Sequence, residues 1–162
     1  MAIKANFDID KIFAGIEKKL VPLVRQAVAE AFSKACLDVV KQAKSLDTYQ
    51  DQTNQLRSSI GYQIYDKGEL ITEYFQEGGK GEGEGAGLGV ANGKKVAAAA
   101  AEKYPNDIVG VIVAGADYAL YVESKGYDVI SGPSSQLASL ASKYLKSAAQ
   151  GFKEAGIEVA HQ

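Results

Sequence analysis

From Gly79 to Gly89 every second residue is glycine, within the stretch GGKGEGEGAGLG, and a glycine–lysine cluster, GVANGKK, follows from Gly89 to Lys95. Glycine beside lysine is the chemistry of phosphate binding: bare backbone amides cradle the anion and the ammonium neutralises it. The phosphate-loop pattern G-x-x-x-x-G-K-[ST] is missed, however. GVANGKK is one residue short, and Lys95 stands where the Mg²⁺-binding hydroxyl belongs. The dinucleotide pattern G-x-G-x-x-G is missed as well, because the alternation puts Leu88 or Val90 at the third glycine. Asp66, Glu69, Glu73 and Glu77 crowd one predicted hairpin and could supply a general acid and base. A solvated or subunit-facing strand surface is the preferred account of them. Cys36 sits among Ala35, Leu37 and Val39 with no histidine placed to activate it, so it reads as a small core residue. His161, the one histidine, lies next to the C-terminal residue without metal-ligand spacing around it. No patch of basic and aromatic residues suggests base stacking. No catalytic, cofactor-binding or metal-binding residue is assigned, and the chain is expected not to be an enzyme.

The elements around these residues come from a chain of 162 residues, enough for one domain with a core. A single cysteine excludes an internal disulfide framework and a Cys-based zinc site. The net charge of −2 gives no push toward nucleic acid or an anionic membrane. MAIKANFDID has no signal-peptide core, and VGVIVAGA, from Val109 to Ala116, is too short to span a bilayer. A cytoplasmic origin is expected.

Ile9, Ile12, Phe13, Ile16 and Leu20 recur at helical spacing, with Asp8 as a candidate cap. Val24, Ala27, Val28, Ala31, Ala35 and Val39 continue the stripe beyond Pro22. One helix over 8–45 would be roughly 55 Å long, whereas a compact chain of this size is about 40 Å across. A break at Pro22 is therefore expected; a continuous helix would have to place part of its length on a neighbouring subunit. Thr53 is expected to cap a short helix running through Arg57. Ile60, Tyr62 and Ile64 alternate with Gly61, Gln63 and Tyr65, and DKGE leads to a return strand over Leu70 to Phe75. KKVAAAAAEKY reads as helix ended by Pro105. DIVGVIVAGA, apolar on both faces, reads as the central strand. A short helix capped by Asp117 and stopped by Gly126 follows, then a fourth strand at YDVI. The last helix starts near Pro133 and Ser134 and carries Leu137, Leu140, Ala141, Tyr144, Leu145, Ala148 and Phe152 on one stripe. The expected fold class is α+β: a small, mostly antiparallel sheet of three to four strands packed against N-terminal and C-terminal helices. One domain spans 1–162, with a glycine-rich insert at 78–93 and a loose tail from about 153.

As a strand, the glycine segment would present one bare face. Ordering 78–93 would cost on the order of 15–30 kcal/mol of backbone freedom. It therefore reads either as a flexible surface loop or as a loop that orders only when a partner subunit covers it. As a coil its ends lie roughly 20 Å apart.

Two stretches carry a resemblance. TNQLRSSIGYQI, Thr53 to Ile64, resembles the T-G-x-L-R-x-S-I segment of a family of tailed-phage tail-component or tail-completion (neck) proteins. VIVAGADYALYVESKGYDVISGP, Val111 to Pro133, is similar to that family's strand followed by a Y-A-x-Y-V-E helix. Thr53, Leu56, Arg57, Ser58 and Ile60 match the first motif; Tyr118, Ala119, Tyr121, Val122 and Glu123 match the second. Asn54 stands where glycine is usual, and ESKGYDV replaces the commoner E-x-G-T. The resemblance implies a structural protein of the virion, made in the bacterial host cytoplasm and sited in the tail or neck. It implies a homo-oligomeric ring, six-fold, that completes the tail and joins it to the capsid. The partners implied are the tail tube or tail terminator and the head-closure proteins, with double-stranded DNA passing through the lumen unread. An assembly module of a phage-tail-like secretion or injection system is the alternative. Thr53, Leu56, Arg57, Tyr118, Tyr121 and Glu123 are then assembly candidates. Gly79, Gly81, Gly83, Gly85, Gly87 and Gly89 form the candidate assembly loop. Arg57 is expected to pair with a carboxylate such as Glu123, locally or across subunits.

Overall fold

The computed structural model describes the chain from Ile9 to Gly156, with side chains from Ala14 onward. The proposed Asp8 cap, the side chains of Ile9, Ile12 and Phe13, and His161 lie outside the described residues. Helix α1 runs unbroken from Ile9 to Ser45 with Pro22 inside it. The expected break is absent. Proline removes one helical N–H and presses its ring on the carbonyl of Lys18. Both defects fall where the helix stands in solvent: of residues 14–24 only Leu20 is even partly buried. Water can solvate the displaced carbonyl there. From Ala29 onward the same helix enters the core through Ala31, Ala35, Cys36, Val39, Val40 and Ala43.

A one-turn helix α2 (Gln55–Ser58) leads into strand β1 (Ile60–Asp66), which folds back as β2 (Glu69–Phe75). The turn puts Lys67 (φ 52°) and Gly68 (φ 80°) in the left-handed region, matching the right-handed twist of the two strands. Helix α3 (Ala86–Ala101) crosses to strand β3 (Ile108–Ala114). The order is β2-β1-β3, antiparallel throughout, with Tyr62 opposite Tyr74 on one side and Ile112 on the other. The central strand is therefore β1, and DIVGVIVAGA forms an edge. Both faces of the sheet are covered. Ile60, Tyr62 and Ile64 face α1, where Ser33 and Tyr62 share a 2.8 Å hydrogen bond between hydroxyls. Gln63 faces α3 through Glu73, which also binds Lys94. Apolar residues on both sides of a strand thus report two covered faces and say nothing of which edges are paired.

Helices α4 (Ala119–Ser124), α5 (Ser131–Ser134) and α6 (Leu137–Glu154) complete the chain. YDVI forms no strand; Val129 instead drops into the core, fully buried. The predicted last-helix start is occupied by the separate turn α5. The stripe of α6 lies on α1 only half-buried, because a single helix covers it from one side. The α+β class with a three-stranded antiparallel sheet between helices is as expected.

Candidate functional site

The two motifs, far apart in sequence, meet at the start of β1. Asn54 adopts the left-handed conformation (φ 61°, ψ 4°), which aims α2 into the domain. The cap of α2 is Asp51, not Thr53: its buried carboxylate accepts from the amides of Leu56 (3.3 Å) and Arg57 (2.8 Å). Two amides on one carboxylate satisfy donors the helix leaves free. Thr53 stays on the surface, and its hydroxyl reaches only the Gln55 amide (3.4 Å) and, at 3.5 Å, the Tyr118 hydroxyl. Leu56 is a core residue.

Arg57 is buried and does not pair with Glu123 of its own chain. Its guanidinium lies 5.0 Å from the centre of the Tyr49 ring, donates to the Lys44 carbonyl at 2.5 Å and approaches Asp47 at 3.6 Å. Lys44 is in the last turn of α1. Arg57 is thus the cationic cap of that helix's free carbonyls, where the helix dipole favours positive charge. Glu123 faces the other way. It accepts from the amides of Val129 (3.2 Å), Ile130 (3.1 Å) and Ser131 (2.9 Å) and from the Ser131 hydroxyl (2.8 Å). Burial alone would raise this carboxyl, but the hydrogen bonds from Ile130, Ser131 and Val129 outweigh burial and hold it below its ordinary value. Asp117 caps nothing; the N-cap of α4 is Tyr118, without a side-chain bond.

Two buried serines do the joining: Ser59, which is not among the positions matched to the first motif, and Ser58, which is matched but not carried into the assembly candidates. Ser59 Oγ donates to the Leu56 carbonyl (2.7 Å) and accepts from the Ala116 amide (2.9 Å), while its carbonyl takes the Gly115 amide (3.2 Å). Ser58 Oγ exchanges hydrogen bonds with the Gly78 amide and carbonyl at 3.0 Å. The first ties the two motifs together; the second anchors the glycine segment.

That segment is ordered, and its glycines serve close approach. Asn54 donates to the carbonyls of Gly81 (2.8 Å) and Gly83 (3.0 Å) and accepts from the Gly81 amide (2.8 Å). The amides of Gly83 and Gly85 donate to Gln52 and Thr53. A Cβ on Gly81 would stand 2.2 Å from the Asp51 carbonyl oxygen, and one on Gly83 2.7 Å from Thr53 Cα. In the bends that precede α3, Gly81, Gly83 and Gly85 each come up against residues 51–55. From Ala86 the chain is helical, and the same glycines fall at helical spacing: Gly85, Gly89 and Gly93 continue as Ala97 and Ala101 along the buried side of α3. Helix α3 therefore begins well before the expected KKVAAAAAEKY. GVANGKK lies inside it, with its amides turned along the helix and not toward a ligand. Gly79 (φ 147°) sits against Asn54, whereas Gly87 faces open space with Glu77 Oε1 at 3.7 Å.

The carboxylates of the hairpin are dispersed. Asp66 takes both oxygens to Arg25 Nε at 3.0 Å, and that hydrogen bonding holds its carboxyl low. Glu73 is held low chiefly by Lys94. Among the described residues no group of three or more metal-ligating side chains converges. Cys36 is buried, its thiol pushed up to about 12 by desolvation, which disfavours the nucleophilic thiolate. No helix is long and apolar enough to cross a membrane among the described residues.

Among the described residues large apolar side chains are bare in three places, one of them on and just after α3 at Leu88, Val96 and Tyr104. On α1 they are Ile16, Val21, Leu23 and Val24, with Leu70 and Ile71 bare on β2. On and beside α4 they are Leu120 (79% exposed), Tyr121 (63%), Tyr127 (50%) and Tyr118 (36%). Comparison with family models, with curated proteins and with solved structures gives no match.

Proposed function

We propose that this chain is a non-enzymatic structural subunit of a tailed-phage neck or tail end, acting as one copy of a ring that completes the tail and joins it to the capsid. The motif resemblance names the assembly. The observation that carries an assembly role is the N-terminal arm of α1. Most of a helix's stability in a protein comes from packing of its apolar face. The arm's apolar side chains Ile16, Val21, Leu23 and Val24 meet little of their own domain. Covering the exposed half of each would contribute about 1 kcal/mol. An exposed apolar stripe of this kind supports a subunit surface. The joint between the motifs supports the same reading: Asp51, Arg57, Ser58, Ser59 and Glu123 are spent on rigid backbone contacts, leaving Tyr118, Leu120 and Tyr121 to face outward.

The test is electron microscopy of lysates from the parent phage or prophage with the gene deleted. Filled heads lying apart from tails are expected. Normal, infectious particles would remove the neck reading.

A further inference from the structure

Strands β2 and β3 are each paired with β1 and not with each other, so the chain that joins them contributes nothing to the strand ladder. Helix α3 and the glycine segment before it can leave the sheet without breaking one hydrogen bond between strands. What they cover is a single face. Phe75 and Val113 stand opposite Gly61 in the register, and Glu73 and Val111 stand opposite Gln63. Residues directly opposite share a face, and Gln63 and Glu73 put this one toward Lys94 of α3.

We infer that residues 79–101 form a hinged cover, which opens from the sheet as one unit while α1, the sheet and α6 stay folded. This goes beyond the neck reading and does not depend on it. Three observations carry it. First, α3 brings little apolar surface to the seam. Its buried residues are Gly89, Gly93, Ala97 and Ala101, whereas its larger apolar side chains Leu88 and Val96 are exposed. Across the sheet, Val39 and Val40 of α1 and Ile60 and Ile64 of β1 are fully buried. An element with few buried apolar contacts opens at a lower free energy than the core. Second, the side-chain ties across the seam are polar. Lys94 and Glu73 both reach solvent, and Asn54 holds Gly81 and Gly83 through their backbone groups alone. Water replaces such partners when the cover lifts, so each bond adds little net hold. Third, both ends are built as hinges. At the entry, Ser58 fixes the amide and carbonyl of Gly78, and Gly79 next to it has φ 147°, open to glycine. At the exit, residues 102–107 are all exposed, and the Lys67 amide fixes the far side of that turn at the Asp107 carbonyl (3.0 Å). The seam also directs the return. Gly89 and Gly93 let the helix backbone down onto Gln55 and Ser59, where any Cβ would collide.

The test is native-state hydrogen exchange of the purified full-length chain in low urea. Amides of 81–101 are expected to exchange together, at least about a hundredfold faster than those of Ile60–Asp66. Their urea dependence should be shallower, because opening the cover exposes only part of the surface that unfolding exposes. Ile64→Val, on the α1 side of the sheet, should speed exchange of Ile60–Asp66 about two- to tenfold and leave 81–101 unchanged. Val113→Cys gives a second readout. A thiol reagent is expected to label position 113 in native conditions, while buried Cys36, on α1 across the sheet, stays unlabelled. Exchange of 81–101 at the rate and urea dependence of Ile60–Asp66, or an equal response of both to Ile64→Val, would overturn the cover. Exchange of 81–101 without protection would overturn it too, since no closed seam would then exist. Labelling of Cys36 together with position 113, or of neither, would show that the sheet does not uncover on this side alone. The gene-deletion phenotype judges the neck reading separately.

Discussion

Replacing Gly89 with alanine sets two opposing effects against each other. Gly89 is inside α3, so alanine gains up to about 1 kcal/mol of helix propensity. The added Cβ, however, would stand 2.2 Å from the Gln55 carbonyl oxygen and 3.0 Å from its carbonyl carbon. Those atoms are backbone, and Gln55 is fixed by the turn that Asp51 caps. Its neighbour Leu56 is a fully buried side chain. The helix must back away by the better part of an ångström, parting Gly93 from Ser59 and Phe75 as well. Overpacking of this kind costs about 3 kcal/mol at the upper end of its usual range. The net expectation is a loss of about 2 kcal/mol. For a chain of 162 residues that lowers the melting temperature by about 4–8 °C. Gly87→Ala is the control, since its Cβ meets nothing closer than Glu77 Oε1 at 3.7 Å. It should leave stability unchanged or raise it by up to about 1 kcal/mol. Urea unfolding of the three proteins decides the matter. If Gly89→Ala is as stable as the parent, the close approach of α3 to α2 is wrong. Equal behaviour of both variants would return the segment to a flexible loop.

Arg57→Ala removes the cap of α1 and the stacking on Tyr49. A loss of about 2–3 kcal/mol in urea is expected, whereas Asp47→Ala, whose side chain is 73% exposed, should cost under about 1 kcal/mol. Equal effects of the two would mean that the ion pair, not the cap, matters. For Glu123 the sign follows from a carboxyl held below its ordinary value of 4.5. Its contribution is complete above that pH and disappears as pH falls through the lower folded value. Glu123→Gln should therefore be less stable than the parent at neutral pH, with the gap narrowing in acid; a gap independent of pH would refute the assignment.

Much of the architecture is legible without coordinates. Alternation over Ile60 to Tyr65, the DKGE turn and the stripe of α6 follow from local periodicity and turn chemistry, and the hairpin forms where those place it. Cys36 reads correctly as core, since nothing near it in sequence could activate it. What escapes is whatever depends on a neighbour distant in sequence. Which strand is central cannot be told from faces alone. Pro22 costs a helix least where water can solvate the carbonyl it displaces, and α1 places it in solvent. Arg57 offers the same charge to Glu123 or to a helix end, and only packing chooses the carbonyl of Lys44. The glycine segment makes the sharpest contrast. Its composition establishes that no phosphate loop is spelled out. Its pattern leaves loop and partner-ordered loop open, because glycine's entropy cost is visible locally while its benefit is not. That benefit is the backbone of 51–55, brought within reach of Gly81, Gly83 and Gly89 by the tertiary structure, where any Cβ would collide.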